Sequence, residues 1–441
     1  MLRLSLRRRQ SFLEFSRSRV MEKYIVLIIF IASYIGFIFI PSHHALCACV
    51  GALLLVLLGA MGPWDALAAI NWNVMGIFVG TLVLAELFIL SKVPAYLAEL
   101  LVNRSGNVCV AMLFVCGLTS FLSIFAANVA TVLIVAPVAL AIADRLGVCP
   151  SLFIISLAMC SNLQGTATLI GDPPSMILAG DTGMTFNDFF FYQGKPSIFF
   201  AVELGALASL GVLYLLFRGY KQPVEVMEVE KVRSWVPTWM LVLLIVSLAV
   251  ASFFNSESKY LAGAICMVFG VVGLLWYETS FGGNMREFIT VLDWSTTFFL
   301  MGVFVLVGSL NTVGWIHDIA VIMEDVSGDN LFRAFFLIVF LSVILSAFID
   351  NIPYILAMLP VAQQLGQDIH GSQTLLVFGL LIGSCLGGNI TPIGASANIV
   401  GLGFLKRRNI HVSFMEFVKI GLPFTIAAVV PSAIFLWIVW K

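Results

Sequence analysis

The stretch NLQGTATLIGDPPS, residues 162–175, interrupts an apolar run from Leu152 to Leu178 that is long enough to cross a bilayer. A continuous helix cannot pass through Pro173 and Pro174, because neither ring carries an N–H and each ring clashes with the preceding turn. Backbone groups freed at mid-membrane need partners, so a broken helix there is typical of the ion sites of secondary transporters. A kinked structural helix is the alternative interpretation.

The same polar pattern returns in the second half of the chain without gaps. Five pairs of identical residues are 223 positions apart and two pairs are 222 apart: Asn128 and Asn351, Pro137 and Pro360, Gly165 and Gly388, Thr168 and Thr391, Gly171 and Gly394, then Trp72 and Trp294, Gly80 and Gly302. We therefore predict a duplication, with residues 21–217 as the first repeat, 218–236 as a charged linker in solvent and 237–441 as the second repeat. A duplicated scaffold without a site is the alternative.

Composition places the chain in a membrane. Of its 441 residues, 61% are hydrophobic and 11% are charged, and the net charge of −1 gives no indication of nucleic-acid binding. The eight cysteines are interpreted as small hydrophobic residues, and the five histidines as loop residues rather than metal ligands. We therefore predict a multi-pass protein of the cell (inner) membrane, surrounded by lipid, that is not an enzyme.

Apolar runs predict an all-α fold of about ten transmembrane helices, with broken helices at Leu152–Leu178 and Leu375–Phe404. Two longer runs, Val108–Leu146 and Phe332–Leu365, are expected to form re-entrant hairpins of half-length helices. Phe189–Phe217 is expected to be the span that closes the first half. If the hairpins are not counted, each half crosses the membrane five times, so the two repeats should be inverted.

Residues 1–20 form a basic N-terminal tail in which no chemistry is recognised. Met21 begins a conventional membrane entry, so the tail is either absent from the true product or disordered. The basic residues of most loops favour an external N-terminus, whereas the arginines of the tail favour the opposite orientation.

Two aspartates fall at mid-membrane positions, where a charged side chain costs on the order of 3 kcal/mol. Asp350 is expected at a hairpin tip, where it could bind sodium or take up a proton. Asp172 precedes the double proline, so it could be functional or could cap the second half-helix by accepting from its first N–H groups. Glu86 and Glu203 also lie within spans, either as proton carriers or as structural, hydrogen-bonded glutamates.

Neutral oxygen and amide groups make up the rest of the candidate site. These residues are Asn128, Thr131, Thr166, Thr168 and Ser175 in the first half, and Asn351, Thr391, Ser396 and Asn398 in the second. Hard oxygen donors suit sodium, whereas the N–H groups and dipoles of half-helix N-termini suit an anion. No lysine or arginine is expected in this core, so an anionic substrate would rely on these groups and on a co-bound cation. Sodium or a proton is expected as coupling ion, and no cofactor.

Several segments carry a resemblance to a known family: FAANVATVLIVAPV (125–138), GDPPS (171–175), SAFIDNIPYILAMLPV (346–361) and GGNITPIGASAN (387–398). From about Ala45 onward, the chain resembles the permease superfamily that includes arsenite permeases, one class of sodium–proton antiporters, citrate transporters and the pigmentation P-protein. The hairpin tips are also similar to those of sodium–dicarboxylate symporters.

The resemblance implies a homodimer, a scaffold domain and an elevator-like transport domain built from the hairpins and broken helices. By analogy, one cation site would join Asn128 to the Gly165–Gly171 break and another would join Asn351 to the Gly388–Gly394 break. Asn128, Gly165, Asn351 and Gly388 are therefore the candidate sodium ligands. The chain departs from the family pattern at Ala127, where many members have aspartate, and at Ser175, where asparagine is usual.

These patterns favour a secondary active transporter that couples the movement of a small ion to protons or sodium. The transported ion is expected to be an inorganic anion such as arsenite, or a carboxylate. A sodium–proton antiporter of the same fold is the main alternative. A passive channel would also fit hairpins, and only uphill accumulation would distinguish it. An intramembrane aspartyl protease would need Gly-x-Gly-Asp, whereas Leu169 stands at the first glycine position before Asp172.

Overall fold

The computed structural model describes residues 21–37, 39–40, 43–224, 229–254, 260–328, 330–369 and 372–441. The predicted tail, residues 1–20, lies outside the described residues. So do Glu225 and Glu228 of the predicted linker.

Ten α-helices are described in the first half of the chain. In chain order they are α1 (residues 21–37), α2 (His44–Leu57), α3 (Pro63–Ala69), α4 (Trp72–Leu90), α5 (Val93–Asn103), α6 (Val108–Ser123), α7 (Asn128–Leu146), α8 (Pro150–Gly165), α9 (Pro173–Thr182) and α10 (Ile198–Phe217). A short antiparallel ribbon, β1 (Phe191–Tyr192) and β2 (Lys195–Pro196), precedes α10. The predicted span Phe189–Phe217 is thus corrected, since its helix begins only at Ile198.

The second half contains the corresponding helices in the same order. They are α11 (Val236–Phe254), α12 (Leu261–Thr279), α13 (Met285–Val291), α14 (Trp294–Thr312), α15 (Trp315–Ser327), α16 (Leu331–Ser346), α17 (Asn351–Asp368), α18 (Gln373–Gly387), α19 (Ser396–Arg407) and α20 (Phe414–Trp440). Helices α4 and α14 begin and end 222 residues apart, and α6 and α16 begin and end 223 residues apart.

The duplication extends to individual hydrogen bonds. Asn71 caps α4 by accepting from the N–H of Val74, and Asp293, 222 residues later, caps α14 by accepting from the N–H of Thr296. The indole N–H groups of the two tryptophans that open these helices each donate to the carbonyl five residues earlier, at 3.2 and 2.7 Å. The two halves are therefore copies of one unit in structure as well as in sequence.

The predicted all-α membrane fold is confirmed. Seven helices of the described chain are long and apolar enough to cross a membrane: α4, most of α7, α10, α11, α12, α14 and α20. Helices α2, α6, α16 and α18 are apolar but shorter. Large apolar side chains such as Phe332, Phe336 and Phe340 are exposed along one face of α16, as expected of a surface that meets lipid. The protein is a multi-pass integral membrane protein.

Each hairpin consists of two helices joined by four residues, 124–127 in the first and 347–350 in the second. The helices of the first hairpin have 16 and 19 residues, roughly 24 and 28 Å at 1.5 Å per residue. The two helices together fill the predicted run Val108–Leu146 and turn immediately before Asn128, so the predicted division of this run into two helices is confirmed.

The two repeats interlock through equivalent surfaces. Helix α12 packs on α4 of the first repeat, while α2 packs on α14 of the second. The contacts are close because glycine faces backbone: a Cβ at Gly80 would lie 2.3 Å from the carbonyl carbon of Cys266, and one at Gly302 would lie 2.7 Å from that of Ala48. Likewise α9 packs on α17, and α19 packs on α7 and α8. This exchange of partners is the packing that two copies related by an approximate twofold axis produce.

The charged linker is exposed but is hydrogen-bonded to the first repeat. The N–H groups of Val108 and Cys109 donate to the carbonyls of Gln222 and Tyr220, at 3.0 and 2.9 Å. Lys92 Nζ lies 2.9 Å from Glu230 Oε1. The sequence predicted a solvated loop, and these bonds show that its described part is also attached to α6 and to the start of α5.

Candidate functional site

The tip of each hairpin packs against the break in a helix of its own repeat. Ser123 Oγ donates to the Ser161 carbonyl at 2.7 Å, and the equivalent Ser346 Oγ donates to the Ser384 carbonyl at 2.5 Å. The hydroxyls of Thr168 and Thr391, within the breaks, donate to tip carbonyls 44 residues earlier. The breaks predicted from glycine and proline are thus held by side-chain hydroxyls that satisfy the carbonyls of the tips.

Glycines allow the two sides of each break to meet. A Cβ at Gly171 would lie 2.5 Å from the Gly165 carbonyl oxygen, and a Cβ at Gly394 would lie 2.6 Å from the Gly388 carbonyl oxygen. Any side chain at these positions would collide with backbone. The predicted glycine pairs therefore have a steric role in both repeats.

A buried amide network joins the two repeats. Asn128 Nδ2 donates to Asn162 Oδ1 at 3.0 Å, and Asn162 Nδ2 lies 2.9 Å from the side-chain oxygens of both Asn389 and Asn398. Asn398 Nδ2 in turn donates to the carbonyls of Gly388 and Thr391, at 2.9 and 3.0 Å. The tip of the first hairpin is thus connected to the break of the second repeat through side chains alone.

Asp172 stands at the position that precedes α9, but its carboxylate makes no capping hydrogen bond. It is 2% exposed and accepts from Asn351 Nδ2 at 3.4 Å. The capping interpretation of Asp172 is therefore wrong.

Asn351 was expected to pair with the Gly388–Gly394 break, whereas the structure places it against a residue of the other repeat. Ser175 Oγ donates to the Thr166 carbonyl at 3.2 Å and so bridges the two sides of this break.

Of the two aspartates predicted at mid-membrane, Asp350 is the one that caps a helix. Its Oδ1 accepts from the N–H of Ile352 at 3.0 Å, and its Oδ2 accepts from Ser396 Oγ at 2.9 Å. The side chain is half-buried and reaches a cavity of about 220 Å³. The carboxylate is therefore held by a hairpin and by the half-helix α19, and still faces open space.

This cavity, which we call the tip cavity, lies between the two hairpin tips and helices α1, α2 and α14. Its walls include Val129 and Ile349 of the tips, Ser396 of α19, and Tyr34, His44, Asp293 and Thr296 of the other helices. Tyr34 Oη donates to the Pro353 carbonyl at 2.6 Å, which links α1 to the second hairpin. His44 and Asp350 both line this cavity.

The electrostatics of the tip cavity are mixed. It contains two carboxylates, Asp293 and Asp350, and no lysine or arginine is among the described residues that line it. The N-terminus of α19 also opens into it without a side-chain cap, so its N–H groups present partial positive charge. No group of three or more His, Cys, Asp or Glu in the described chain could hold a metal ion.

The structure brings most of the predicted site residues to the tips and breaks. Thr131 is an exception, because it lies one turn into α7, where its hydroxyl donates to the Ala126 carbonyl at 3.5 Å. Sequence reasoning missed Asn162 and Asn389, although both lie within segments already recognised as polar. It also missed Tyr34, His44 and Asp293 as site residues, because they are distant in sequence from the tips.

A protein-family model described as citrate transporter matches residues 34–383. The chain belongs to this family. An uncharacterised transporter of Mycobacterium tuberculosis is 30% identical over 88% of this chain and 92% of its own length, and another from the same organism is 29% identical over 94% and 98%. The P protein of Mus musculus is 26% identical over 88% of this chain and 57% of its own length.

Solved structures share the fold of this citrate transporter family member. The YdaH transporter of Alcanivorax borkumensis superposes with a TM-score of 0.57 at 15% identity, over 88% of this chain and 87% of the other. MtrF of Neisseria gonorrhoeae, described as illuminating a class of antimetabolite efflux pumps, superposes with a TM-score of 0.51 at 12% identity, over 95% and 94%. The family match and the similarity to the P protein confirm the resemblance to the permease superfamily, and the protein is a membrane transporter.

Proposed function

We propose that this protein is a secondary active transporter that moves a small inorganic or carboxylate anion together with a proton or sodium ion bound at Asp350. The observation that carries the proposal is that the Asp350 carboxylate and the uncapped N-terminus of α19 face the same cavity. The carboxylate suits a cation, and the helix N-terminus suits an anion.

The charges in this cavity supply a reason for coupling. An anion at the N-terminus of α19 would lie close to Asp350, because Ser396 of that helix hydrogen-bonds to the carboxylate. Two negative charges that lie this close together, the anion and the Asp350 carboxylate, repel each other strongly in a poorly solvated site. A proton or sodium ion on Asp350 removes the repulsion, so each ion favours binding of the other.

Sodium would find further ligands at the breaks. Asn128 and Asn351 already supply amide groups there, and the carbonyls of Gly165 and Gly388 lie at the ends of the interrupted helices. We include these four residues as candidate sodium ligands because carbonyl and amide oxygens suit a hard cation. Asn351 lies beside Asp172 of the first break, so that carboxylate would add negative charge there.

We further propose that hairpins and broken helices move as one body against α1, α2 and α14, in an elevator-like alternating-access cycle within a homodimer. Support comes from the amide network, which ties both repeats of that body together, and from the position of the tip cavity at its boundary. The dimer rests on the family resemblance alone.

The proposal can be tested by replacing Asp350 with asparagine. Purified protein in proteoliposomes is given labelled citrate or arsenite under an imposed pH or sodium gradient. Wild type should accumulate one of these anions under one gradient, whereas Asp350→Asn should lose gradient-driven accumulation because its side chain carries no charge for the cation to neutralise. Downhill flux of the same anion should persist.

Asp65→Asn is the matched control, because Asp65 is an exposed carboxylate in the first turn of α3. Accumulation by Asp350→Asn at the wild-type level would contradict the proposal. Equal leak in all three proteins, without accumulation, would indicate a passive channel.

A sodium–proton antiporter is the second candidate, because the tip cavity holds two carboxylates and its described walls hold no lysine or arginine. The same vesicles distinguish the two functions. Sodium-driven proton movement in the absence of any transported anion, lost in Asp350→Asn, would favour the antiporter.

A further inference from the structure

A second buried polar cluster lies away from the tip cavity, where α8 meets α10. Gln164, in the last turn of α8, is 3% exposed, and its side-chain oxygen has no hydrogen-bond partner. Glu203, in the second turn of α10, is half-buried. Its carboxylate lies beside the Gln164 side chain, and its Oε1 atom is buried without a hydrogen-bond partner. Two acceptor oxygens thus lie in one place without a donor for either.

Within the described chain, the main packing partners of α10 supply no charge beside this carboxylate. Helix α10 packs on α6, α8 and α20. Neither α6 nor α8 contains a charged residue, and the charged residues of α20 and its C-terminus are Glu416, Lys419 and Lys441, near the two ends. The middle of α20 faces α10 instead, where Ser432 Oγ donates to the Ala201 carbonyl at 2.7 Å.

An ionised carboxylate without a cation at this depth is costly, as is an unpaired carboxamide oxygen. One proton satisfies both, because a protonated carboxyl group donates one hydrogen bond and the carboxamide oxygen accepts it. The Gln164 N–H group can donate to the other carboxyl oxygen at the same time, so the acid and the amide can form a pair with two hydrogen bonds.

We propose that Glu203 and Gln164 form a proton-binding site, in which Glu203 is protonated at neutral pH and donates to Gln164 Oε1. The site adjoins the broken helix, since Gln164 directly precedes Gly165 and lies two residues after Asn162 of the amide network. A proton held there can be coupled to rearrangement of the break. This last step rests on the proposed transport function, whereas the occupancy of Glu203 by a proton does not.

Infrared spectroscopy of the purified protein tests the proton directly, without any transported anion or gradient. At neutral pH, the spectrum of wild type minus that of Glu203→Gln should show the C=O stretch of a protonated carboxyl group, with a shift in D₂O. Gln164→Leu should keep this band but move it to higher frequency, because the acceptor is gone. Glu86→Gln, which changes another glutamate within a membrane helix, is the control. Its spectrum should keep the C=O band of Glu203 at the wild-type frequency.

The absence of this band from the difference spectrum of correctly folded proteins would overturn the proposal. That result would mean that Glu203 is ionised and is satisfied by water or by a cation. Thermal stabilisation of wild type by sodium that is lost in Glu203→Gln, again without the carboxyl band, would assign the site to sodium and would also overturn it.

Discussion

Asn162 connects three side chains from both repeats, so a single residue tests how the broken helices are held together. Asn162→Ala would leave the side-chain groups of Asn128, Asn389 and Asn398 without one partner each, in a region where all four residues are at most 5% exposed. Each unsatisfied buried group costs about 1–3 kcal/mol. We therefore expect a fall of several degrees in the thermal unfolding midpoint.

The measurement is thermal unfolding of the purified protein in detergent, with Asn311→Ala as the control. Asn311 is an exposed asparagine near the end of α14, so its replacement should leave the midpoint nearly unchanged. Equal midpoints for Asn162→Ala and wild type would show that the network does not stabilise the fold.

The linker offers a pH-dependent contact outside the membrane. The Lys92 ammonium group, which donates to Glu230 and attracts its negative charge, lowers the pKa of that carboxyl group below its ordinary value. A lowered folded-state pKa means that the contact stabilises the linker above about pH 4.3, the ordinary value for glutamate. This contribution is lost as the pH falls through the lowered pKa.

Because the pair is exposed, the effect should be local and small. Hydrogen exchange, corrected for the intrinsic effect of pH, should show faster exchange at acidic pH for the Arg233 N–H, which donates to the Ser91 carbonyl at 2.9 Å. Lys92→Met should show the faster exchange already at neutral pH. Exchange that depends on pH equally in both proteins would exclude this pair as the cause.

The chemistry of single residues was only partly predictable. The two aspartates and the polar residues at the tips could be selected as candidate site residues, because a polar group within an apolar run requires a hydrogen-bond partner or a function. Which aspartate caps a helix could not be predicted, since Asp172 and Asp350 both precede a helix N-terminus and only the side-chain orientation differs. The role of His44 could not be predicted, because 306 residues separate it from Asp350 and only tertiary packing brings both to the tip cavity.

At the level of helices, the contact between α4 and α12 depends on the absence of a side chain at Gly80. Gly80→Ala would place a methyl group 2.3 Å from the Cys266 backbone, which cannot move independently of its helix. Overpacking of this kind costs about 1–3 kcal/mol. We expect a lower thermal midpoint and a smaller yield of folded protein.

Gly117→Ala is the matched control, because Gly117 also lies within a helix, and a Cβ there would meet nothing within 4 Å. Alanine is the better helix former by about 0.5–1 kcal/mol, so this variant should be as stable as wild type or slightly more stable. Similar losses in both variants would contradict a steric role for Gly80.

Helix positions followed from the sequence where composition changes sharply. The tips and breaks were predicted because glycine, proline and polar residues interrupt long apolar runs there. The β-ribbon was missed because Phe189–Phe217 reads as one apolar span. Its turn residues, Gln193 and Gly194, both adopt positive φ angles, of 48° and 76°, and only the glycine gives a sequence signal for that conformation.

For the whole molecule, the exchange of packing partners between repeats predicts that the two halves hold together without a covalent link. Residues 1–224 and 229–441, expressed as separate chains in one cell, should assemble in the membrane and purify together. The reason is that α2–α14, α4–α12, α9–α17 and α7–α19 all pair one repeat with the other. Introducing Gly80→Leu into the first chain should reduce recovery of the complex. If the two unmodified halves do not purify together, the prediction is contradicted.

Divergence between the two copies has an energetic consequence for the empty carrier. Ala127 stands where the other copy has Asp350, and Asn162 stands where it has Cys385. In an alternating-access cycle, two identical inverted copies would give inward-facing and outward-facing forms of equal free energy, because each form would be the image of the other. Unequal copies remove that degeneracy, and a difference of about 1.4 kcal/mol already populates one form tenfold over the other. In the proposed alternating-access cycle, the residues that distinguish the copies would therefore also determine which side of the membrane the unloaded carrier faces.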